Sequence, residues 1–311
     1  MRYGLTMGSL AAHGKAGLLE TTEDYFRKAH EFGYDCVAVG VGSVPGPEEE
    51  GKLHEFKAFL DDLRMGVQVG GNPEEDASYE VANHLGSPVL NTAIKGFRIR
   101  FRENWDDARA REEMAKDIER LGAIEKRARA HDLPVTFENH GGYRTDEICE
   151  ILEAVDSPYI GINLDTANQI VMVEDTVECC RSLAPRVLST HIKDTLLIEA
   201  EDGAGAIWCV PGEGINGLPE QARLLRETGN DFLVTMEFLD HFVVPIPYNT
   251  DEFWEQLGRT REQNAECLRM LEDAPKLQAD PRPTELDELV PYEAETRKKS
   301  LPAMKAMFGD A

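Results

Sequence analysis

Residues 232–237 read Phe-Leu-Val-Thr-Met-Glu, an apolar, β-branched run that ends on an acid. A strand with one face in water alternates polar and apolar residues, whereas an unbroken apolar run belongs to a strand covered on both faces. Cys36-Val-Ala-Val39 reads the same way. Working outward from these runs, eight strand candidates emerge: Arg2–Gly8, Asp35–Val41, Met65–Gly70, Pro88–Ala93, Leu133–Glu138, Ile160–Asp165, Val187–His191 and Phe232–Glu237. Charged segments of helical period lie between them. In the longest, Met114, Ile118, Leu121, Ile124 and Ala128 recur at intervals of three and four and form one apolar stripe. Strand–helix alternation repeated eight times predicts an α/β protein, a parallel (β/α)8 barrel. The competing fold, an open doubly wound sheet, carries a glycine-rich phosphate loop after its first strand. Met7-Gly-Ser-Leu-Ala-Ala-His-Gly14 is too loose to be one.

The alternation is complete by residue 272, so the reading assigns 1–272 to the barrel and 273–311 to a Pro-rich C-terminal extension. Pro275, Pro281, Pro283, Pro291 and Pro302 punctuate that extension, which reads as an arm ending in a short helix, Ser300–Phe308. Long loops follow strands four, seven and eight (Ile94–Trp105, Lys193–Ile215 and Phe238–Thr250), on the face where barrel chemistry sits. With 33 basic and 58 acidic side chains the net charge is −25. Such a surface repels phosphate backbones and anionic lipid heads, which argues against nucleic acid and membranes as partners. The chain has no long apolar run and no basic-then-apolar N-terminus. Its six cysteines show no C-x-x-C spacing, which predicts free thiols and a cytoplasmic protein.

The strand ends carry the chemistry. Glu138 closes the fifth strand, Asp165 the sixth, His191 the seventh and Glu237 the eighth. In a closed barrel these ends are neighbours on one rim. Alone, each acid reads as a helix cap or an ion-pair partner, and His191 as a rim histidine. Together they gather three carboxylates and an imidazole, and burying those carboxylates costs several kcal/mol each unless a cation compensates them. Three oxygens and one nitrogen form a hard-leaning donor set for one divalent ion: Mn2+ first, with Mg2+, Co2+ or Zn2+ as alternatives. Open positions on the ion would take neighbouring oxygens of a sugar.

Four motifs sit at or near these residues: Phe137-Glu-Asn-His-Gly-Gly142, Gly161-Ile-Asn-Leu-Asp-Thr-Ala-Asn168, His191-Ile-Lys-Asp194 and Pro211-Gly-Glu-Gly214. Their order and spacing resemble the xylose isomerase-like TIM barrel superfamily, specifically its sugar phosphate isomerase/epimerase group, over residues 1–272. The resemblance implies one divalent metal on Glu138, Asp165, His191 and Glu237, in agreement with the site read from the strand ends. By likeness to the ketose 3-epimerases of the group, it also implies that Glu138 and Glu237 move the proton, one on each face of the sugar. A cation on the carbonyl oxygen lowers the barrier to removing the adjacent C–H proton.

The sequence departs from those epimerases twice. Where they resemble Asp-x-x-His after strand six, Asn168 stands here; where they carry an arginine after the strand-seven histidine, Lys193 stands here. The altered set is closer in character to the inosose dehydratases and the large subunits of C-glycoside deglycosidases, which resemble the same fold and enolise a keto-sugar before expelling a leaving group. His140, two residues beyond Glu138, then reads as a proton shuttle or substrate contact, or as a residue that orients Glu138. Lys193 reads as a group that binds or polarises the carbonyl oxygen, or as a surface partner of Asp194. Asn168 reads as a hydroxyl contact or a turn cap. The apolar loop His241-Phe-Val-Val-Pro-Ile-Pro-Tyr248 reads as a lid, an aglycone pocket or a subunit contact. Arg98, Arg100 and Arg102 suggest an interface, an anionic substrate group or a solvated loop.

The expected activity is therefore metal-dependent enolisation of a keto-sugar or glycoside, ending in isomerisation, epimerisation or β-elimination. The expected assembly is a homo-oligomer, or a hetero-oligomer with a small second subunit. An endonuclease IV-like metal phosphodiesterase needs a histidine-rich three-metal cluster, and only His140 and His191 fall at confident rim positions. A non-catalytic barrel subunit would have no physical reason to keep three converging acids.

Overall fold

Eight parallel strands close into a ring in the computed structural model, which describes every residue except Met1, Phe97, His241, Asp310 and Ala311. They are β1 (Tyr3–Thr6), β2 (Cys36–Gly40), β3 (Gly66–Gly70), β4 (Leu90–Thr92), β5 (Val135–Glu138), β6 (Ile160–Asp165), β7 (Val187–Ile192) and β10 (Leu233–Met236). Between the last two, β8 (Asp194–Ala200) and β9 (Gly203–Cys209) leave the ring. Pairing of β1 with β10, Tyr3 opposite Val234, shuts the barrel. The apolar runs that announced the strands are buried, as in Cys36, Val37, Val234 and Met236. The (β/α)8 TIM barrel follows as predicted.

Alternate residues of a strand share a face. Thr136, Asn163, Ser189 and Thr235 therefore share a face with Glu138, Asp165, His191 and Glu237, each two places further on, and all four are fully buried. Ser189 Oγ donates to Thr136 Oγ1 at 3.1 Å, and Thr235 Oγ1 donates to Gln68 Oε1 at 3.1 Å. A polar layer thus fills the barrel beneath the rim.

Two segments differ from the sequence reading. Lys193–Ile215, expected as a long loop, contains the antiparallel hairpin of β8 and β9, with Asp194 opposite Cys209 and Ala200 opposite Gly203. Val244–Ile246 (β11) adds to β9 and Lys276–Leu277 (β12) to β8, so a small four-stranded sheet stands on the rim. The expected short helix Ser300–Phe308 is a longer one, Leu286–Phe308, that continues through Pro291 and Pro302. It is no free arm: it packs against the helix Leu218–Glu227 and the turns Met7–Lys15, the place of a barrel's eighth helix.

Tertiary pairing stabilises this helix where local propensity does not. Arg297, fully buried, donates from Nε to the Ser9 carbonyl (2.6 Å) and from Nη2 to the Phe238 carbonyl (2.9 Å), and it pairs with Asp240. Glu293 accepts from the Ala12 amide at 2.8 Å and lies 2.6 Å from His13 Nδ1. All six cysteines are unpaired. Among the described residues no helix is long and apolar enough to cross a membrane.

Candidate metal centre

The rim residues are fixed by a lattice of short polar contacts. Asn139 bridges the ends of β5 and β6: its Oδ1 accepts from the Asp165 amide at 2.7 Å and its Nδ2 donates to the Asp165 carbonyl at 2.9 Å. Asp165 Oδ1 accepts from the amides of Ala167 and Asn168, both at 2.9 Å, which winds the chain into the turn after β6. Thr166 ties that turn to β7, donating to the Lys193 carbonyl (2.7 Å) and accepting from the Lys193 amide (2.9 Å). Asp165 lies opposite His191 in the ladder, and the Glu237 amide donates to the Ile192 carbonyl at 3.1 Å. Each functional side chain therefore leaves a strand end with no freedom to swing away.

Glu138, Asp165, His191 and Glu237 each present one ligand atom, and these atoms all lie within 4.8 Å of one another. His191 Nδ1 is 3.3 Å from Glu138 Oε2 and 3.5 Å from Glu237 Oε2. Lys193, 4% exposed, lies 2.7 Å from Asp165 Oδ2 and also pairs with Glu237. A lysine ammonium thus supplies part of the cationic compensation that the buried acids need. Lys193 is not a surface partner of Asp194, whose carboxylate accepts from the amides of Thr195, Gly212, Gly214 and Asn216.

Burial alone would raise every acid here; the cations decide which ones escape. Glu138 is held well below the usual carboxylate range against that burial, by His191 and then His140. Glu237 is lowered against it by Lys193 and His191. For Asp165 burial wins over Lys193, and its carboxyl is raised. Burial works to discharge His191, but Glu138 and Glu237 raise it to about 9.

The compensation stops short of complete. Lys193, His191 and His140 face the three carboxylates, yet two buried atoms, Asp165 Oδ2 and His191 Nδ1, have no aligned hydrogen-bond partner. Lys193 touches that oxygen off the direction of a hydrogen bond. Both of these atoms belong to residues of the quartet. The donor set fits a divalent ion. Among the described residues no second such cluster stands beside it, so the histidine-rich multi-metal site of an endonuclease IV-like enzyme is not assembled here.

The other expected residues separate. His140 lines the cavity above the quartet, with Nε2 3.9 Å from Glu138 Oε1. Asn168 is fully buried and donates from Nδ2 to Glu138 Oε1 at 2.9 Å, away from the cavity wall, so it positions Glu138. The cavity, about 550 Å³, is also lined by Lys193, Glu237, Phe101 and Trp208. The sequence reading passed over Trp208, whose ring lies 5.1 Å from Lys193 Nζ. Its signal was weak: the two-residue turn of its hairpin, Glu201-Asp202, carries no glycine. Of the apolar loop, Phe242 and Val243 are exposed while Val244, Ile246 and Tyr248 are buried; His241 lies outside the described residues.

Residues 26–263 match the xylose isomerase-like TIM barrel family, and the chain belongs to it. It is 27% identical over 163 residues to the uncharacterized protein YihM of Escherichia coli K12, a match covering 51% of this chain and 48% of that one. The chain thus matches about half the length of that relative. Among solved structures, D-psicose 3-epimerase of Clostridium cellulolyticum with D-tagatose superposes with a TM-score of 0.65 at 14% identity, over the whole of both chains. The IOLI protein with a binding zinc atom gives 0.59 at 13% identity, over 89% of this chain and 100% of that one. A probable 3-DHS dehydratase from Bacillus anthracis gives 0.58 at 18%, over 88% and 99%. At these identities the likeness is one of fold.

Proposed function

We propose that this protein is a divalent-metal-dependent enzyme that removes a proton next to the carbonyl of a keto-sugar or sugar-like substrate. The outcome is isomerisation or epimerisation, or a β-elimination like that of the C-glycoside deglycosidases. The observation that carries the reading is the quartet itself: three carboxylates and an imidazole within 4.8 Å, two of their atoms without an aligned partner, at a cavity large enough for a sugar. Membership of the family and the epimerase and dehydratase likenesses support it.

Glu138, Asp165, His191 and Glu237 would hold the ion, Mn2+ by first preference; when bound, it supplies Lewis-acid polarisation of the carbonyl and its neighbouring hydroxyl. The remaining steps belong to side chains. In ring order the strand ends run β10, β7, β6, β5, so Glu237 and Glu138 are the outer members of the quartet. A substrate between them meets one carboxylate from each side. Both are held ionised, so either can accept the proton; in an epimerisation the other, once protonated from solvent, delivers a proton to the opposite face. His140, 3.9 Å from Glu138, takes that proton onward or hands it to a departing group. Lys193 holds Asp165 and Glu237 in place and presents positive charge at the cavity wall, where oxygen gains negative charge.

The test is solvent deuterium exchange, followed by NMR, into free ketoses and 3-keto glycosides. Exchange should vanish in metal-stripped protein and return with Mn2+. Undiminished exchange without any metal ends this reading.

A further inference from the structure

We propose that the substrate bears a carboxylate on an apolar-faced body and that Arg98 is the residue that reads it. The proposal rests on the reading of the quartet as the reaction centre and names the class of molecule it serves.

Arg98, Arg100 and Arg102 alternate in sequence; Arg98 and Arg102 line the cavity, while Arg100 turns away from it. Arg100 is fully buried, and its guanidinium grips Glu147 through two bonds of 2.9 Å. Arg98 makes no ion pair and no side-chain hydrogen bond among the described residues, and its Nε is buried without a partner. What it faces is the Phe101 ring, 5.0 Å away, and the cavity it lines together with His140, Lys193 and Glu237. This chain carries 58 acids against 33 bases, so carboxylates are the commonest charged neighbours it offers, yet among the described residues none pairs with this guanidinium.

Its backbone is held there deliberately. Arg98 has φ +53°, the left-handed region, and its amide donates to the His140 carbonyl at 3.0 Å. A non-glycine residue in that conformation is strained, and such strain collects where a side chain must be aimed. Burial without a counter-anion pushes the guanidinium down to about 10, which leaves it charged at neutral pH and in want of an anion.

The rest of the wall argues for the body of the ligand. Phe101, Leu239, Val243 and Val244 present carbon side chains, which satisfy no hydroxyl of a bare polyol. A planar guanidinium matches a carboxylate in a two-bond fork. Arg102 and Lys193 line the same wall and Glu237 stands opposite in charge, so the cavity favours an anion, and the fork of Arg98 is the group that fits a carboxylate.

Isothermal titration of Mn2+-loaded protein with phenyl β-D-glucuronide and phenyl β-D-glucoside tests this, since the two differ only in carboxylate against hydroxymethyl. The wild type should bind the glucuronide about tenfold tighter or more, the scale of a charge-assisted pair. Arg98→Met should bring the glucuronide to the glucoside's affinity, and Arg98→Lys should keep part of the preference. Equal binding of the two by the wild type, a preference that survives Arg98→Met, or no binding of either overturns the proposal. Titration of Mn2+ into the same metal-stripped proteins reports separately. Loss of saturable metal binding with the acid preference intact sinks the quartet reading alone, and normal metal binding with no acid preference sinks this one alone.

Discussion

Arg297 on the flank of the barrel and Lys193 at its mouth are both buried cations set among carboxylates, yet their surroundings are finished differently. Arg297 spends its guanidinium on two carbonyls and Asp240, while neighbouring Glu293 is met by His13 and a backbone amide. No side-chain atom of those four residues is left buried and unbonded. At the mouth, Asp165 Oδ2 and His191 Nδ1 go unbonded. A satisfied buried network rigidifies; an unsatisfied one keeps its capacity for something that arrives. The first cluster belongs to the fold and the second to a ligand.

The largest effect that sharpens this contrast is catalytic. Glu138→Gln or Glu237→Gln should lower the rate of deuterium exchange by about 10³-fold with the thermal midpoint nearly unmoved. A rate within tenfold of the wild type would remove the proton-transfer role. Next comes Arg297→Met, which strands Asp240 and part of Glu293's environment. Urea unfolding should show a loss of about 3–5 kcal/mol, and Mn2+ should restore none of it. Lys193→Met inverts that pattern. The metal-free variant should lose about 2–3 kcal/mol, because Asp165 and Glu237 lose their cation, and added Mn2+ should recover most of it. Equal losses with and without metal would erase the distinction between the clusters.

The smallest effect concerns Glu174, a half-buried acid served by neutral donors alone: the Thr145 amide and hydroxyl, and Gln169 Nε2 at 2.6 Å. Burial raises it to about 7 despite those bonds. The folded protein therefore holds this proton more tightly than the unfolded chain, so the contribution is complete below pH 4 and is lost as pH climbs through about 7. Between pH 5 and 8 unfolding free energy should fall by about 2 kcal/mol from this group, a slope that Glu174→Gln should flatten. An identical slope in the variant assigns the decline elsewhere.

The barrel was legible because parallel strands buried on both faces leave unbroken runs such as Cys36–Val39, and the quartet because those runs end on Glu138, Asp165, His191 and Glu237. What stayed hidden is long-range. Pro291 and Pro302 read as breakers, and the helix through them exists because Arg297 and Glu293 find partners at Asp240 and His13, far away in sequence. The hairpin after β7 hides because its two-residue turn, Glu201-Asp202, carries no glycine at its centre, and Gly203 already pairs with Ala200. Lys193 was legible as a site residue but not as the partner of Asp165 and Glu237, since a sequence shows spacing and not which charges meet.

The reach of Arg297 has a consequence for synthesis. It joins Ser9 across 288 positions and holds the carbonyl of Phe238, the residue after Glu237. A chain growing on the ribosome therefore displays all four rim residues of the quartet well before the side chain that fastens the last of them has been made. Contacts of such separation form late and slowly. A transcript cut short ahead of Leu286 would yield a protein with every residue of the quartet encoded, a bare seam beside β1 and β10, and the hallmarks by which cellular proteases select their targets.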